Sequence, residues 1–254
     1  MLAEIHHKIA KDGSNLSERL EDNLTSDFFG AIRYLPFEQG MREVLLTAEF
    51  DDHQLMVNWS NRVQSFQGYP FRYRFWHKIG SDEIDLLLIG DDLVIGIEVK
   101  LYSGLSSEDE EIDPKIDYET SKNQLARYSA MMEKNFQSKK DKYLLFVAPY
   151  QTMSSVKARM QSGSIISPDV QLGFMNWQDI HQRLESLHLD SVNKSAQLIL
   201  TDLRNLLKAK ELVHFHGFQS ALSPIISSSS YSFSGKWLWP DQQITEGKYY
   251  VFNH

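Results

Sequence analysis

Residues 83–101, EIDLLLIGDDLVIGIEVKL, place two runs rich in Ile, Leu and Val on either side of Gly90-Asp91-Asp92. Branched aliphatic side chains suit strands. Gly and Asp suit turns, because Gly tolerates unusual backbone angles and Asp bonds to its own backbone. The segment therefore predicts an antiparallel hairpin of central, buried strands. Side chains alternate along a strand, so Glu98 and Lys100 share one face while Ile97, Val99 and Leu101 share the other. A turn centred on Asp91-Asp92 stands Asp85 opposite Glu98.

Residues directly opposite in an antiparallel pair have Cβ atoms roughly 5 Å apart. Two carboxylates held that close repel unless a cation or a shared proton lies between them. The arrangement suits a hard divalent cation: Mg2+ takes oxygen ligands and keeps several waters, and Mn2+ is a possible substitute. Asp85 and Glu98 are the expected ligands, with the Val99 carbonyl as a further oxygen. Lys100 stands beside the metal without ligating it. There it could orient or help activate an attacking water, or stabilise negative charge on a phosphoryl group. A Glu-x-Lys pair on a strand is otherwise often a solvated pair of little energetic weight. Asp85, the tight turn and the apolar flanks set this one apart.

Elsewhere the apolar spacing predicts elements that would surround such a hairpin. Leu20, Leu24, Phe28, Ala31 and Leu35 recur at helical spacing within residues 14–36, and Pro36 ends the run. Residues 41–59 read equally as helix or strand. In PFRYRFWHKI (70–79), Phe71, Tyr73 and Phe75 alternate with Arg72, Arg74 and Trp76, the period of a half-buried strand. Residues 120–136 predict a helix whose Gln124, Arg127, Tyr128 and Met131 share one face. YLLFVAPY (143–150) and residues 171–175 read as short strands, and 151–162, 177–187 and 194–210 as helices. The fold class expected is α/β.

With 254 residues, 42% of them hydrophobic, the chain can bury a core without staples. It has no cysteine, which excludes disulfides, thiolate zinc and a thiol nucleophile. The expected domain spans 1–219, and the Ser-rich stretch and short extension at 220–254 are expected to pack on it. No apolar run is long enough to cross a bilayer, and the first residues lack a signal-peptide pattern, so a cytoplasmic protein with no membrane partner is expected. The net charge is −8. Seven acidic residues (Glu108, Asp109, Glu110, Glu111, Asp113, Asp117, Glu119) cluster with the single base Lys115. Without this segment the 34 acidic and 26 basic residues become 27 and 25. The remainder is nearly neutral, so a local positive surface is compatible with the sequence, although broad attraction to nucleic acid is not.

The spacing of Asp85 from Glu98-Val99-Lys100 resembles the PD-(D/E)XK nuclease superfamily, with Ile84 in place of the motif's proline. LEDNLTSDFFGAIRYLP, from residue 20, resembles the first core helix of a bacterial subgroup, and Gln124-Leu125-Ala126-Arg127-Tyr128 resembles its Q-x-x-x-Y helix. GIEVKLYSG followed by Ser106 and Ser107 resembles the same subgroup. The similarity runs from about residue 17 to 180. It implies a restriction-endonuclease-like core, a central mixed sheet flanked by helices. It also implies metal-assisted hydrolysis of DNA by water with a 5′-phosphate product, in restriction, defence or repair. By the same comparison Glu21 adds a carboxylate to the metal centre, with Glu18 and Asp22 as rivals, and Gln124 and Tyr128 approach the active site or substrate.

Arg127, Arg72 and Arg74 are candidate phosphate contacts; a solvated helix or sheet edge is the bland alternative. Lys139, Lys140 and Lys142 read as an ordinary polar loop, and His6-His7 as a surface pair. His214-x-His216 lacks a third zinc ligand. Trp237-Leu238-Trp239 reads as core packing or a homodimer contact rather than a base-stacking surface. Three functions stay in view: a DNA endonuclease, an exonuclease or RNA nuclease, and a nonenzymatic DNA-binding module or defence-complex subunit on the same scaffold.

Overall fold

The computed structural model describes residues 16–80, 82–102, 121–161 and 166–215. Contacts divide the chain after His214. The first unit is an α/β fold with a five-stranded mixed sheet flanked by helices. Ser106, Ser107, the acidic stretch at 108–119, His6, His7, His216 and the whole of 220–254, with Trp237 to Trp239, lie outside the described residues.

Helix α1 (Leu16–Ile32) leads through short helices α2 (Met41–Leu45) and α3 (His53–Ser65) to strand β1 (Arg72–Ile79). Strands β2 (Asp82–Ile89) and β3 (Leu93–Val99) follow. Helix α4 (Gln124–Asn135), β4 (Asp141–Ala148), α5 (Tyr150–Gln161), β5 (Gln171–Asn176), α6 (Trp177–Glu185) and α7 (Lys194–Ala209) complete the order. The strands lie in sequence order. β1, β2 and β3 are antiparallel neighbours, whereas β3, β4 and β5 run parallel. Parallel neighbours need a crossover, which α4 and α5 supply.

Every residue of β3 is buried, as its apolar run from Leu93 to Ile97 requires, and Glu98 is buried with them. Leu24, Phe28, Phe29, Trp59, Trp177, Leu200 and Leu203 pack with Ile95, Ile97 and Val99 on one face. Leu125, Met132, Met153 and Val156 pack with Val94, Leu144 and Phe146 on the other. Gly96 permits that second layer: a Cβ there would lie 2.6 Å from Ile84 Cδ1 and 2.9 Å from Met132 Sδ. Side-chain oxygens begin the helices around this sheet. Asp52 caps α3, Asn123 caps α4, Asn176 caps α6 and Asn193 caps α7.

The ambiguous stretch 41–59 is helical at Met41–Leu45 and from His53 onward, with turns and a single bridge between Glu49 and Phe174 in between. Its alternating LMVNW lies within α3, where the Asp52 cap starts a helix that local alternation disguised. The β2–β3 hairpin pairs Leu86 with Ile97, Leu87 with Gly96 and Ile89 with Val94. That is the register of a two-residue turn at Asp91-Asp92, closed by the Gly90 amide donating to the Leu93 carbonyl at 2.9 Å.

The alternation expected in β1 is interrupted. Trp76 was placed with Arg72 and Arg74, but it is buried beside Phe75 in the α1-side cluster. Its φ of +47° does this, since two successive residues of a regular strand cannot face the same way. A left-handed backbone at a bulky residue costs on the order of 1–3 kcal/mol.

Candidate active site

The C-terminal end of β3 brings together four ionisable side chains from three elements. Glu98 is the last but one residue of the strand and is 2% exposed. Strand alternation turns it and Lys100 toward α4. The Lys100 amide donates to the Val147 carbonyl at 2.7 Å, and the Trp177 indole donates to the Lys100 carbonyl at 3.1 Å. The backbone of Lys100 is thus clamped between β4 and α6. Its ammonium reaches Glu98 Oε1 at 2.8 Å and Glu21 Oε2 at 3.8 Å.

Glu21 enters from α1. Its Oε1 accepts from the Leu101 amide at 3.0 Å and the Tyr102 amide at 3.3 Å. It takes over the backbone donors just past the end of β3, which explains how a carboxylate can be buried there. Of its rivals, Asp22 turns to the Trp76 indole at 2.8 Å, and the side chain of Glu18 lies outside the described residues.

Asp85 is half-buried on β2. Its Oδ2 accepts from the Val99 amide at 2.8 Å. Its carboxyl also lies in hydrogen-bonding range of Glu98. On the other side, α4 presents Gln124. The Gln124 amide nitrogen donates to Glu98 Oε1 at 2.7 Å and to the Tyr128 hydroxyl at 2.8 Å, and that hydroxyl donates to the Glu83 carbonyl. Spacing of four residues on one helix face makes this Gln–Tyr pairing possible.

Glu98 is therefore asymmetric. Oε1 receives both Lys100 and Gln124, while Oε2 is buried and receives no hydrogen bond. The Asp85 carboxyl lies beside the Glu98 carboxyl. Burial raises the Glu98 pKa, and the Lys100 ammonium offsets this only in part. For Lys100, burial works against its charge, but the carboxylates of Glu98, Asp85 and Glu21 outweigh it and raise its pKa. Lys100 is a fixed ammonium. Burial, then the Glu98 charge, also raises Tyr128, which stays a neutral donor.

An orphaned carboxylate oxygen beside a second carboxyl fits a hard divalent cation, which needs few protein oxygens and retains waters. Asp85 and Glu98 are the side chains that fit. Among the described residues no group of three or more His, Asp and Glu is arranged to hold a metal ion. Glu21 holds the Leu101 and Tyr102 amides and approaches Lys100. Val99 is engaged through its amide.

The other candidates stand apart from this cluster. Arg72 and Arg74 are exposed on β1, the edge strand of the sheet. Arg127 is tied to Asp82 at 2.9 Å and to the Lys122 carbonyl, so its charge is already shared within the protein. His214 meets Asp179 at 2.6 Å. Lys139 donates to the carbonyls of Gly90 and Asp91, both at 2.7 Å, and so ties down the hairpin turn. Trp177 and Trp76 escaped the sequence reading. Their contacts span 77 and 54 residues, and only an aromatic residue at a strand–helix junction or within a broken alternation marks them.

No family model, curated protein or solved structure matches the chain. The reading of the site accordingly rests on its own geometry.

Proposed function

We propose that this chain is a metal-dependent nuclease that hydrolyses DNA phosphodiester bonds with water as the nucleophile, cutting within strands. The observation that carries the reading is Glu98: one oxygen is fixed by Lys100 and Gln124, the other is buried without a donor, and the carboxyl as a whole lies beside that of Asp85. Among the described residues Glu98 Oε2 is the one carboxylate oxygen of the buried side-chain polar atoms left without a hydrogen-bond partner, and a buried charged group in that state is costly. The restriction-endonuclease-like core belongs to the same proposal. The antiparallel β1–β2–β3 segment running into parallel β3–β4–β5, with helices on both faces, supports it.

A bound Mg2+ or Mn2+ would supply positive charge to the phosphoryl oxygens and acidify a bound water. Asp85 and Glu98 would hold it, with the Val99 carbonyl and the Glu21 carboxylate as the proposed additional oxygens. The surrounding carboxylates favour the protonated form of Lys100 in the metal-free protein. Its ammonium would stabilise the negative charge that develops as the water oxygen bonds to phosphorus. The bond from phosphorus to the 3′ oxygen breaks, the attacking water gives up a proton to solvent and the 3′ oxygen takes one from solvent, leaving a 5′-phosphate and a 3′-hydroxyl. Glu21 holds the Leu101 and Tyr102 amides and keeps Lys100 close. Gln124 fixes the rotation of the Glu98 carboxylate, and Tyr128 fixes Gln124. Arg72 and Arg74, exposed on an edge strand without an acidic residue, suit phosphate contacts beyond the cut. Arg127 reaches phosphate only by releasing Asp82.

Among the described residues no helix is long and apolar enough to cross a membrane. A cytoplasmic role in restriction or phage defence, alone, as a homodimer or as a subunit of a larger complex, extends the proposal. The test is a cleavage assay with purified protein on circular, linear and single-stranded DNA and on RNA, with Mg2+, Mn2+ or chelator. Cutting of circular DNA that needs the metal supports the reading. Binding of DNA with no cutting of any substrate in either metal overturns it in favour of a nonenzymatic DNA-binding module.

A further inference from the structure

The β1–β2 ladder pairs Phe75 with Leu86 and His77 with Ile84, so Trp76 and Asp85 face one another at its interruption. Both strands change phase there. Phe75 and Trp76, successive residues, enter the cluster under α1. On β2, Leu86 joins that cluster while Ile84, two residues away, joins the cluster under α4. Regular strands put residues two apart on one face, so the left-handed φ of Trp76 is part of a local rephasing centred on the proposed metal ligand.

The rephasing has two results at the site. It swings the Trp76 indole into the core, where its N–H donates to Asp22 Oδ1 on α1 at 2.8 Å. It also coincides with Asp85 reaching over to the Val99 amide beside Glu98. Asp22 is the chain neighbour of Glu21, whose carboxylate holds the Leu101 and Tyr102 amides and approaches Lys100. A bond to Asp22 therefore ties α1 to β1 one residue away from Glu21.

We infer that Trp76 is a positioning residue: its strained backbone aims Asp85, and its indole, through Asp22, holds Glu21 on the end of β3. This deepens the proposed site and rests on that reading for what is being positioned, although the clamp itself is a property of the metal-free protein. Strain concentrated beside reactive groups is where such devices are found.

The test is residue-resolved amide hydrogen exchange in chelator on Trp76→Phe, which keeps the ring and removes the donor, and on Asp22→Ala and Asp22→Asn. Trp76→Phe and Asp22→Ala should each speed exchange at Leu101 and Tyr102 by about tenfold, the loss of roughly one hydrogen bond. Leu145, in the middle of β4, should be unchanged. Asp22→Asn keeps an acceptor oxygen and should behave like wild type. The Trp76→Phe/Asp22→Ala double variant should exchange no faster than either single variant, because both break one bond. Unchanged exchange at Leu101 and Tyr102, or equal acceleration at Leu145, overturns the inference and leaves Trp76 as core packing. A parallel Mg2+ titration, read by thermal stability, separates the two claims. If Mg2+ has no effect on wild type but the amide pattern appears, the metal reading fails and the clamp stands. If Mg2+ stabilises wild type and both disrupted variants at the same concentrations, the clamp fails as a device for the metal site.

Discussion

Strand β3 carries charged groups at both ends, partly exposed to solvent at the turn and largely buried at the other end. At the turn, the exposed Asp92 meets Arg62, its carbonyl accepts from the Lys140 and Asp141 amides, and Lys139 covers the carbonyls of Gly90 and Asp91. The carbonyls there all have donors and the Asp92 carboxylate faces solvent, although Arg62 Nε is buried without an acceptor. At the other end, Glu98, Lys100 and Glu21 are buried, and one Glu98 oxygen is left without a donor. The same chemistry, carboxylates beside cationic side chains, thus serves two purposes. The turn end holds a register. The buried end keeps an electrostatic tension that a bound cation would relieve, at a cost to the metal-free fold.

The largest contrast should come from removing a lysine at each end. Lys100→Met should lower metal-dependent cleavage by about 10²–10³-fold, the scale for loss of one preorganised charge-stabilising donor. Breaking the buried pair should also destabilise the protein by about 3–5 kcal/mol, so circular dichroism must first establish that the variant is folded at the assay temperature. Lys139→Met should leave cleavage at wild-type level. A folded Lys100→Met protein that cuts as well as wild type would sink the proposed mechanism.

Replacing an acid should act in opposite directions at the two ends. Asp85→Asn keeps an oxygen for the Val99 amide and offers N–H groups to the orphaned Glu98 oxygen. It should raise metal-free stability by about 1 kcal/mol, or about 2–4 °C in melting temperature for a domain of this size. Cleavage and the stabilisation by Mg2+ should both disappear. Asp92→Asn should lower stability slightly and spare activity. Thermal melts in chelator and in Mg2+ decide this, and a lower metal-free melting temperature for Asp85→Asn would mean that no tension is stored between Asp85 and Glu98.

The pH dependence sharpens the same contrast. Burial raises the Glu98 pKa above its ordinary 4.5. Over that window the folded state holds more protons than the unfolded state, so this contribution is fully present below the ordinary value and is lost as pH rises through the folded one. Metal-free stability should therefore carry a falling component as pH climbs above 4.5. Mg2+ binding needs the ionised carboxylate, so the gain in melting temperature from Mg2+ should grow over the same range. A Mg2+ effect independent of pH there would argue against Glu98 as a ligand.

Much of this end of the molecule was legible before any coordinates. Asp91-Asp92 dictated the hairpin register, and alternation assigned Glu98 and Lys100 to one face. The spacing of Gln124 and Tyr128 anticipated a shared helix face. These features follow from short-range periodicity, which local sequence records. What stayed hidden depends on a broken period or on distance along the chain. Trp76 defeats alternation through one left-handed residue, and nothing local separates that from a regular strand. Asp22 and Glu21 are adjacent acids on one helix, and only packing against β1 and β3 sends one to an indole and the other to two backbone amides. The clamp of Trp177 on the Lys100 carbonyl joins elements that sequence could order but not dock.

The smallest effect belongs to the solvated end. Arg62 and Asp92 form an ion pair with both side chains partly open to water, about a third and a half exposed respectively. Arg62 also stacks over Phe66, with its guanidinium carbon 5.1 Å from the ring centroid. Water already solvates these charges well, so most of the Coulomb attraction is screened. Arg62→Ala should cost between about 0 and 1 kcal/mol, as exposed pairs do. The loss should shrink as salt is raised, with cleavage unchanged. Denaturant melts at low and high salt measure both. A salt-independent loss would assign the effect to the Phe66 contact instead of the ion pair. A loss of cleavage would show that the two ends of β3 are coupled, and would remove the distinction between a charge that holds register and a charge kept for chemistry.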